Sequence, residues 1–319
     1  MRELEVGSET YRRACEREAA YWGEEVRRAA AQGIPFSADM RRAQRIRVNR
    51  GPGLPQLQSY DPEAERIMNG ALYSELFGLI RSFRHPARIL VLTCGAGGLC
   101  LELARLGHRV HGVDISPGAI EIARRYARDN PFRESFGALA YSIADLNTFE
   151  IDSAYDVVVA WDGLHHILRL DRLLSGIARA LEPGGLFIFS DNIGMHWRSR
   201  LLGGLLYLIL PTRVSYLKKI SYTLGGEEKI RREMSERSPF EEISAGQIVS
   251  GAERYFEITR RTAHTGVGYR AALAGDLRAP DRLRYPFLRL LKRMDDWAVK
   301  NALLRGDHVF VVARPRTSS

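Results

Sequence analysis

The chain has 319 residues and a mass of 36.0 kDa, with 45% hydrophobic and 27% charged residues, a balance that excludes general disorder and suits one large or two small globular domains with real cores. Lys and Arg outnumber Asp and Glu by 47 to 38, giving a formal net charge of +9 and a pI near 9.6; this favours anionic partners such as phosphates, nucleic acid or acidic lipid headgroups. The three cysteines, Cys15, Cys94 and Cys100, form neither C-x-x-C nor zinc-finger spacing, which argues against a disulfide framework and a bound metal.

The N-terminal MRELEVGSETYRRACEREAAYW is charged throughout and has no apolar signal core, so a reducing cytoplasm is the expected location. Residues 1–86 read as a helical region: an Arg/Glu-rich helix from Glu9 to Gln32, a loop punctuated by GPGLPQLQSY, and a second helix starting at Asp61-Pro62 with Ile67, Leu72, Leu76 and Ile80 at mostly helical spacing.

From Arg88 short β-branched runs alternate with helical patterns. RILVL, HRVHGVD, ALAYSIAD, YDVVVAW and GLFIFSD read as strands, with helices near Leu99–Leu106, Pro117–Asn130 and Leu170–Leu181 between them. Such alternation predicts an α/β fold, a doubly wound and mostly parallel sheet, with residues 87–194 as its cofactor-binding core. RYFEITRRTA and DHVFVVARP then complete a seven-stranded sheet within residues 251–319. Two inserts interrupt this last part, at 195–250 and 269–306, and are candidate caps over an acceptor site. The first carries the apolar run from Leu201 to Leu210, about half the roughly 20 residues a spanning helix needs; it can line a pocket, bury as a core helix or lie in a membrane interface. The second places Leu288, Leu291, Met294 and Ala298 on one helical face.

The stretch ILVLTCGAGGLCLELARLGHRVHGVD carries the chemistry. A strand-to-helix turn of small residues lets a cofactor approach the backbone, and the helix N-terminus offers free N–H groups to an anionic group. Gly95 and Gly97 supply the turn, and Asp114 lies 19 residues after Gly95, near the distance at which a carboxylate reaches adenosine ribose hydroxyls. A nicotinamide dinucleotide or S-adenosylmethionine would both suit this much. A G-x-G-x-x-G fingerprint from Gly95 would require glycine where Cys100 stands, which weakens the dinucleotide reading.

Five ordered stretches, VLTCGAGG, HGVDISPGAIEIAR, ADLNTF, YDVVVAWDGLHHI and LEPGGLFIFSDN, together resemble the class I S-adenosylmethionine-dependent methyltransferases over roughly Ile89 to Asn192. The resemblance implies a Rossmann-like methyltransferase fold, S-adenosylmethionine as cofactor and S-adenosylhomocysteine as product. It implies further that Gly95 and Gly97 line the methionine moiety, Asp114 binds ribose with Ile115 against adenine, Asp145 meets the adenine amino group beside Leu146, and Trp161 lies near the cofactor. Two positions depart from the pattern: Thr93 stands where the family usually has an acid, and Leu99 where it has the final glycine. A looser resemblance, carried by the apolar insert and SPFEEIS, points to a bacterial subgroup associated with glycan or natural-product biosynthesis.

Methyl transfer is an in-line displacement on an electrophile that carries its own activation, so the protein mainly aligns acceptor and methyl in a dry pocket. A base is needed only where the acceptor must lose a proton. His165 and His166 lie just past the fourth strand, at the ligand-binding edge of open α/β sheets, and are the candidate bases, the resemblance implying that His166 is the shared structural or cofactor-side residue and His165 the freer one. Asp162 is a second candidate acceptor of a proton, or an N-cap. Tyr21 and Trp22 from the N-terminal helix, and His196 and Trp197 at the head of the apolar insert, are candidate acceptor-site residues.

The expected function is methyl transfer to a small-molecule acceptor, lipophilic or a glycan or natural-product intermediate. The alternative is a methyltransferase fold whose cofactor site is attenuated or repurposed, motivated by Thr93 and Leu99. A nucleic-acid methyltransferase ranks lowest: WDGLHH stands where base-amino enzymes often carry an Asn/Asp-Pro-Pro-aromatic signature, and the basic residues are scattered. Peripheral membrane contact through Leu201–Leu210 and homo-oligomer formation are the remaining partner expectations.

Overall fold

The computed structural model describes residues 4–32, 46–47, 59–60, 62–130, 135–194, 196–212, 215–221, 223, 227–266 and 277–316. The Gly/Pro stretch 51–58, the expected cap Asp61 and the start of the second insert at 269–276 lie outside them.

A mixed seven-stranded sheet organises the chain. Its strands are β3 (Arg88–Leu92), β4 (Arg109–Asp114), β5 (Ala138–Ile143), β6 (Tyr155–Trp161), β7 (Leu181–Asn192), β8 (Phe256–His264) and β9 (His308–Pro315), in the order β5-β4-β3-β6-β7-β9-β8. β3 to β7 are mutually parallel, and β9 runs antiparallel between β7 and β8. The two-residue strands β1 (Ile46–Arg47) and β2 (Ser59–Tyr60) pair separately.

Both faces of the central strands are buried, as continuous apolar runs require of a parallel sheet. On one face Leu90, Leu92, Val158, Phe187, Phe189 and Val311 pack against α5 (Leu170–Ala180) and α9 (Ile248–Tyr255). On the other, Ile89, Val91, Val157, Val159, Ile188 and Phe310 pack against α2 (Pro62–Arg81) and α3 (Gly98–Arg105). The alternation of odd and even positions between the two clusters is the two-residue period of a strand.

Reversal of strand order between β3 and β6 leaves a crevice at the carboxyl edge, where ligands of such sheets bind. α1 (Glu9–Ala31), capped by the Ser8 hydroxyl accepting from the Tyr11 N–H at 3.1 Å, lies against α4 (Pro117–Arg128) beside that crevice. The two helices cross closely because glycine faces glycine: a Cβ on Gly23 would lie 3.4 Å from the Gly118 Cα, and one on Gly118 3.1 Å from the Gly23 Cα. The Ser116 hydroxyl, which caps α4, donates to the Ala19 carbonyl at 2.7 Å and pins the crossing.

The first insert forms α6 (Trp197–Ile209), α7 (Tyr216–Ser221) and α8 (Glu227–Arg237), and the second contributes α10 (Asp281–Lys300), which runs through Pro286. The expected apolar face of α10 divides: Leu288 is buried, Leu291 and Ala298 are half-buried, and Met294 is exposed. The helix packs on α2 along a narrower strip than its spacing predicts.

Candidate functional site

A cavity of about 460 Å³ opens at the β3/β6 edge, closed by α1 and α2. Thr93, Gly95, Leu99, Asp114, Ile115, Leu146, Trp161, His166, Trp22 and Asp162 line it, ten positions that the sequence motifs and the family resemblance single out, joined by Glu18, Tyr73, Asn147 and Phe240.

The glycine turn is built around Asp114. This buried carboxylate accepts the Gly95 N–H on Oδ2 at 2.8 Å and the Ser116 N–H on Oδ1 at 2.9 Å. Burial raises its pKa, with the two N–H groups opposing. Each oxygen keeps capacity for a further donor, as an ionised carboxylate has about four lone-pair sites. Gly97 initiates α3 at φ +75°, where a Cβ would lie 2.4 Å from the Tyr141 hydroxyl, so only glycine serves. Cys100 is accommodated by a compensation in the neighbouring strand: its Sγ fills the space a Gly112 side chain would take, 2.8 Å from the Cβ that residue lacks.

Thr93 sits at φ +51° with its hydroxyl donating to the Leu92 carbonyl at 2.6 Å. A β-branched residue in the left-handed region is strained. Trp161 stacks on Tyr73, centroids 4.6 Å apart, and forms one wall.

Asp145 is engaged away from the cavity. Its Oδ2 accepts the Tyr11 hydroxyl, and its Oδ1 accepts the Asn147 backbone N–H at 2.9 Å and the Asn147 side-chain amide at 3.0 Å. Leu146 and Asn147, not Asp145, reach the cavity. His196 caps α6 by accepting the Arg198 N–H at 3.3 Å, and Trp197 is 63% exposed; neither lines the cavity. Tyr21 also stays off the wall, under the Arg237 guanidinium, whereas Trp22 is on it.

The His165-His166 pair occupies a 3₁₀ helix, Leu164–His166, threaded through carboxylates. The expected cap, Asp162, does not hold it. Asp191 at the end of β7 does, accepting the Gly163 and Leu164 N–H groups on Oδ2 at 2.9 and 2.6 Å while Oδ1 meets His165 Nδ1 at 2.6 Å. Burial alone would lower the His165 pKa, but the hydrogen bond and charge of Asp191 outweigh it and push it up to about 9. His166 projects to the cavity, with Nδ1 3.0 Å from Glu18 Oε1 and Nε2 3.7 Å from Glu241 Oε2. Glu18 also accepts from Trp22 Nε1 and the Ser238 hydroxyl, each at 2.9 Å. Burial would raise its pKa, yet these partners, His166 foremost, leave it lowered.

The sequence reading therefore missed Glu18, Tyr73, Asn147, Asp191, Glu241 and Phe240. Asp191 alone carries a local signal, an acid closing an apolar strand beside the ligand edge. The reading also discerned no metal cluster; yet among the described residues His165, His166 and Glu241 bring ligand atoms within 4.8 Å of one another, as do Asp162, His165 and Asp191, so either set could hold an ion.

Residues 90–189 match the family described as "Methyltransferase domain". The chain is 32% identical over 112 residues to a ubiquinone biosynthesis O-methyltransferase of Bradyrhizobium diazoefficiens, covering 35% of this chain and 42% of that enzyme. It is 35% identical over 104 residues to sterol 4-C-methyltransferase of Caenorhabditis elegans, covering 33% of this chain and 30% of that one. The matched stretch thus spans less than half the length of these relatives. Among solved structures, phosphoethanolamine N-methyltransferase 2 of Haemonchus contortus with S-adenosylmethionine is similar at a TM-score of 0.47 and 21% identity, over 80% of this chain and 56% of that one.

Proposed function

From the methyltransferase domain that residues 90–189 carry, we propose that the chain transfers the methyl group of S-adenosylmethionine to a small lipophilic acceptor. The observation that carries this reading is the Asp114 carboxylate, which ties down the Gly95 turn and lines the same cavity as Ile115, Leu146 and Trp161. Ribose hydroxyls would pair with Asp114, adenine would lie between Ile115 and Leu146, and the methionine moiety would follow the turn toward Trp161. The cavity wall is largely aromatic and aliphatic, and the names of two curated relatives, a ubiquinone biosynthesis O-methyltransferase and a sterol 4-C-methyltransferase, also suggest a lipophilic acceptor.

The two histidines take different parts. His165, locked to Asp191, keeps its proton at neutral pH and positions its neighbour. His166 is the proton acceptor, oriented by Glu18 and presented to the cavity. Cofactor binding is tested by calorimetric titration with S-adenosylmethionine and S-adenosylhomocysteine against NAD. Micromolar binding of the first two and none of NAD is the expected result; binding of NAD alone would overturn the reading. With a hydroxyl acceptor, His166→Gln lowers kcat by roughly 10²- to 10⁴-fold and leaves S-adenosylhomocysteine affinity within a few-fold. Unchanged kcat removes His166 from proton transfer.

A second reading, an attenuated or repurposed cofactor site, is favoured by Thr93, whose hydroxyl donates to the Leu92 carbonyl and keeps only an uncharged oxygen to accept from the cofactor ammonium. Thr93→Asp discriminates. A carboxylate suits the left-handed backbone better than a β-branched side chain and offers the cofactor ammonium a charge-assisted hydrogen bond worth about 1.5–3 kcal/mol. Tenfold or greater tightening measured by titration marks the natural site as attenuated; unchanged affinity marks Thr93 as sufficient.

A further inference from the structure

Two helices outside the cavity turn apolar stripes to solvent. On α6, Leu201, Leu205 and Ile209 recur every fourth residue and are 56%, 48% and 78% exposed; on α10, Leu290, Met294 and Trp297 are 54%, 58% and 61% exposed. Leu206, Leu210 just past the end of α6, and Leu288 and Leu291 of α10 belong to one buried cluster, so the C-terminal end of α6 and α10 are neighbours, with the apolar side chains named above left in solvent. α7, which packs on α6, adds Leu217 at 78% exposure. A monomer rarely leaves so many large apolar side chains of neighbouring helices in solvent without a use for them.

The charge on the same helices selects the occupant. α6, α7 and α10 together contain ten Lys and Arg against three Asp and Glu, an excess of seven where the whole chain has nine. Arg198, Lys218, Arg282, Arg293 and Lys300 are exposed among the apolar side chains. Of the ten, Lys219 and Arg284 are buried and Arg289 and Lys292 pair with Glu63 and Asp296, so the exposed cations of the face are chiefly the five just named. A second copy of the same face would bring like charges together. An anionic surface with an apolar interior would satisfy both components at once. No described helix is long and apolar enough to cross a membrane, so the geometry is that of helices lying in the interface plane.

We propose that α6, α7 and α10 form a docking surface for an anionic lipid bilayer, with the leucine, methionine and tryptophan side chains entering the acyl boundary and the arginines and lysines meeting the headgroups. Flotation of the full chain with phosphatidylcholine vesicles, with and without phosphatidylglycerol, tests it. The wild type floats with the phosphatidylglycerol vesicles, and less so as salt rises. Leu205→Glu/Trp297→Glu lowers partitioning at least about tenfold. Arg293→Gln/Lys300→Gln lowers it roughly 25-fold on the anionic vesicles, since each cation contributes about fivefold there, and little on phosphatidylcholine alone. All four positions are exposed, so the variants retain the wild-type Tm. Absence of flotation, flotation unchanged in both double variants, or a wild-type dimer dissociated by Leu205→Glu/Trp297→Glu would each overturn the proposal, the last by assigning the face to a second copy. Lipid binding is read without cofactor or acceptor and stands apart from methyl transfer.

Discussion

Asp114→Ala weakens S-adenosylmethionine binding at least about 100-fold in a calorimetric titration, the largest loss expected at any residue of the cavity. Two effects combine. The ribose hydroxyls lose their acceptor, and the Gly95 and Ser116 N–H groups, held at 2.8 and 2.9 Å, lose theirs. Hydrogen bonds to a charged group contribute about 1.5–3 kcal/mol each, so loss of the ribose pair alone accounts for two orders of magnitude. Asp114→Asn separates the effects, because an amide oxygen still accepts from one backbone donor while the charge is gone; an intermediate affinity is expected. Wild-type affinity in Asp114→Ala would remove this carboxylate from the cofactor site and with it the principal support for the proposed function.

The second large effect is on stability. Asp191 is completely buried and holds three donors: Gly163 N–H, Leu164 N–H and His165 Nδ1. Asp191→Ala strands a buried imidazolium and two backbone N–H groups and costs about 3–5 kcal/mol in denaturant unfolding. Asp191→Asn costs less, because the amide can still accept from the backbone while His165 becomes neutral. The pH dependence follows from the same pair. The folded pKa of His165, about 9, lies above the ordinary 6.5, so its contribution of about 3 kcal/mol is complete below pH 6.5 and is lost as pH rises toward 9. Wild-type stability therefore declines between pH 6.5 and 9, and this component of the decline is missing from Asp191→Asn. Equal slopes in the two proteins would show that the pair is uncoupled from folding.

Residue patterns within short windows were legible without the fold. The β-branched runs became β3 to β9, and the glycine turn formed between β3 and α3 with Asp114 closing β4, because a strand, a tight turn and a helix start are each determined by a handful of adjacent residues. The carboxylates behind the histidines were not legible. Glu18 stands 148 residues before His166 and Glu241 follows at 75 residues, and as letters these two do not differ from any other acid in a charged chain; Asp191, 25 residues on, is set apart only by closing an apolar strand.

The sequence by itself determined the doubly wound sheet, the glycine turn after β3 and the placement of both histidines at the sheet's carboxyl edge, since hydrophobic period and glycine placement act locally. Only the tertiary structure decided that Asp145 answers to Tyr11 and Asn147, and that His166 faces the cavity while His165 is bound to Asp191. Each of these depends on which distant side chain fills the space beside a polar group. Burial then sets how strongly that partner acts, because a charge removed from water interacts with its few neighbours far more strongly than one left in solvent.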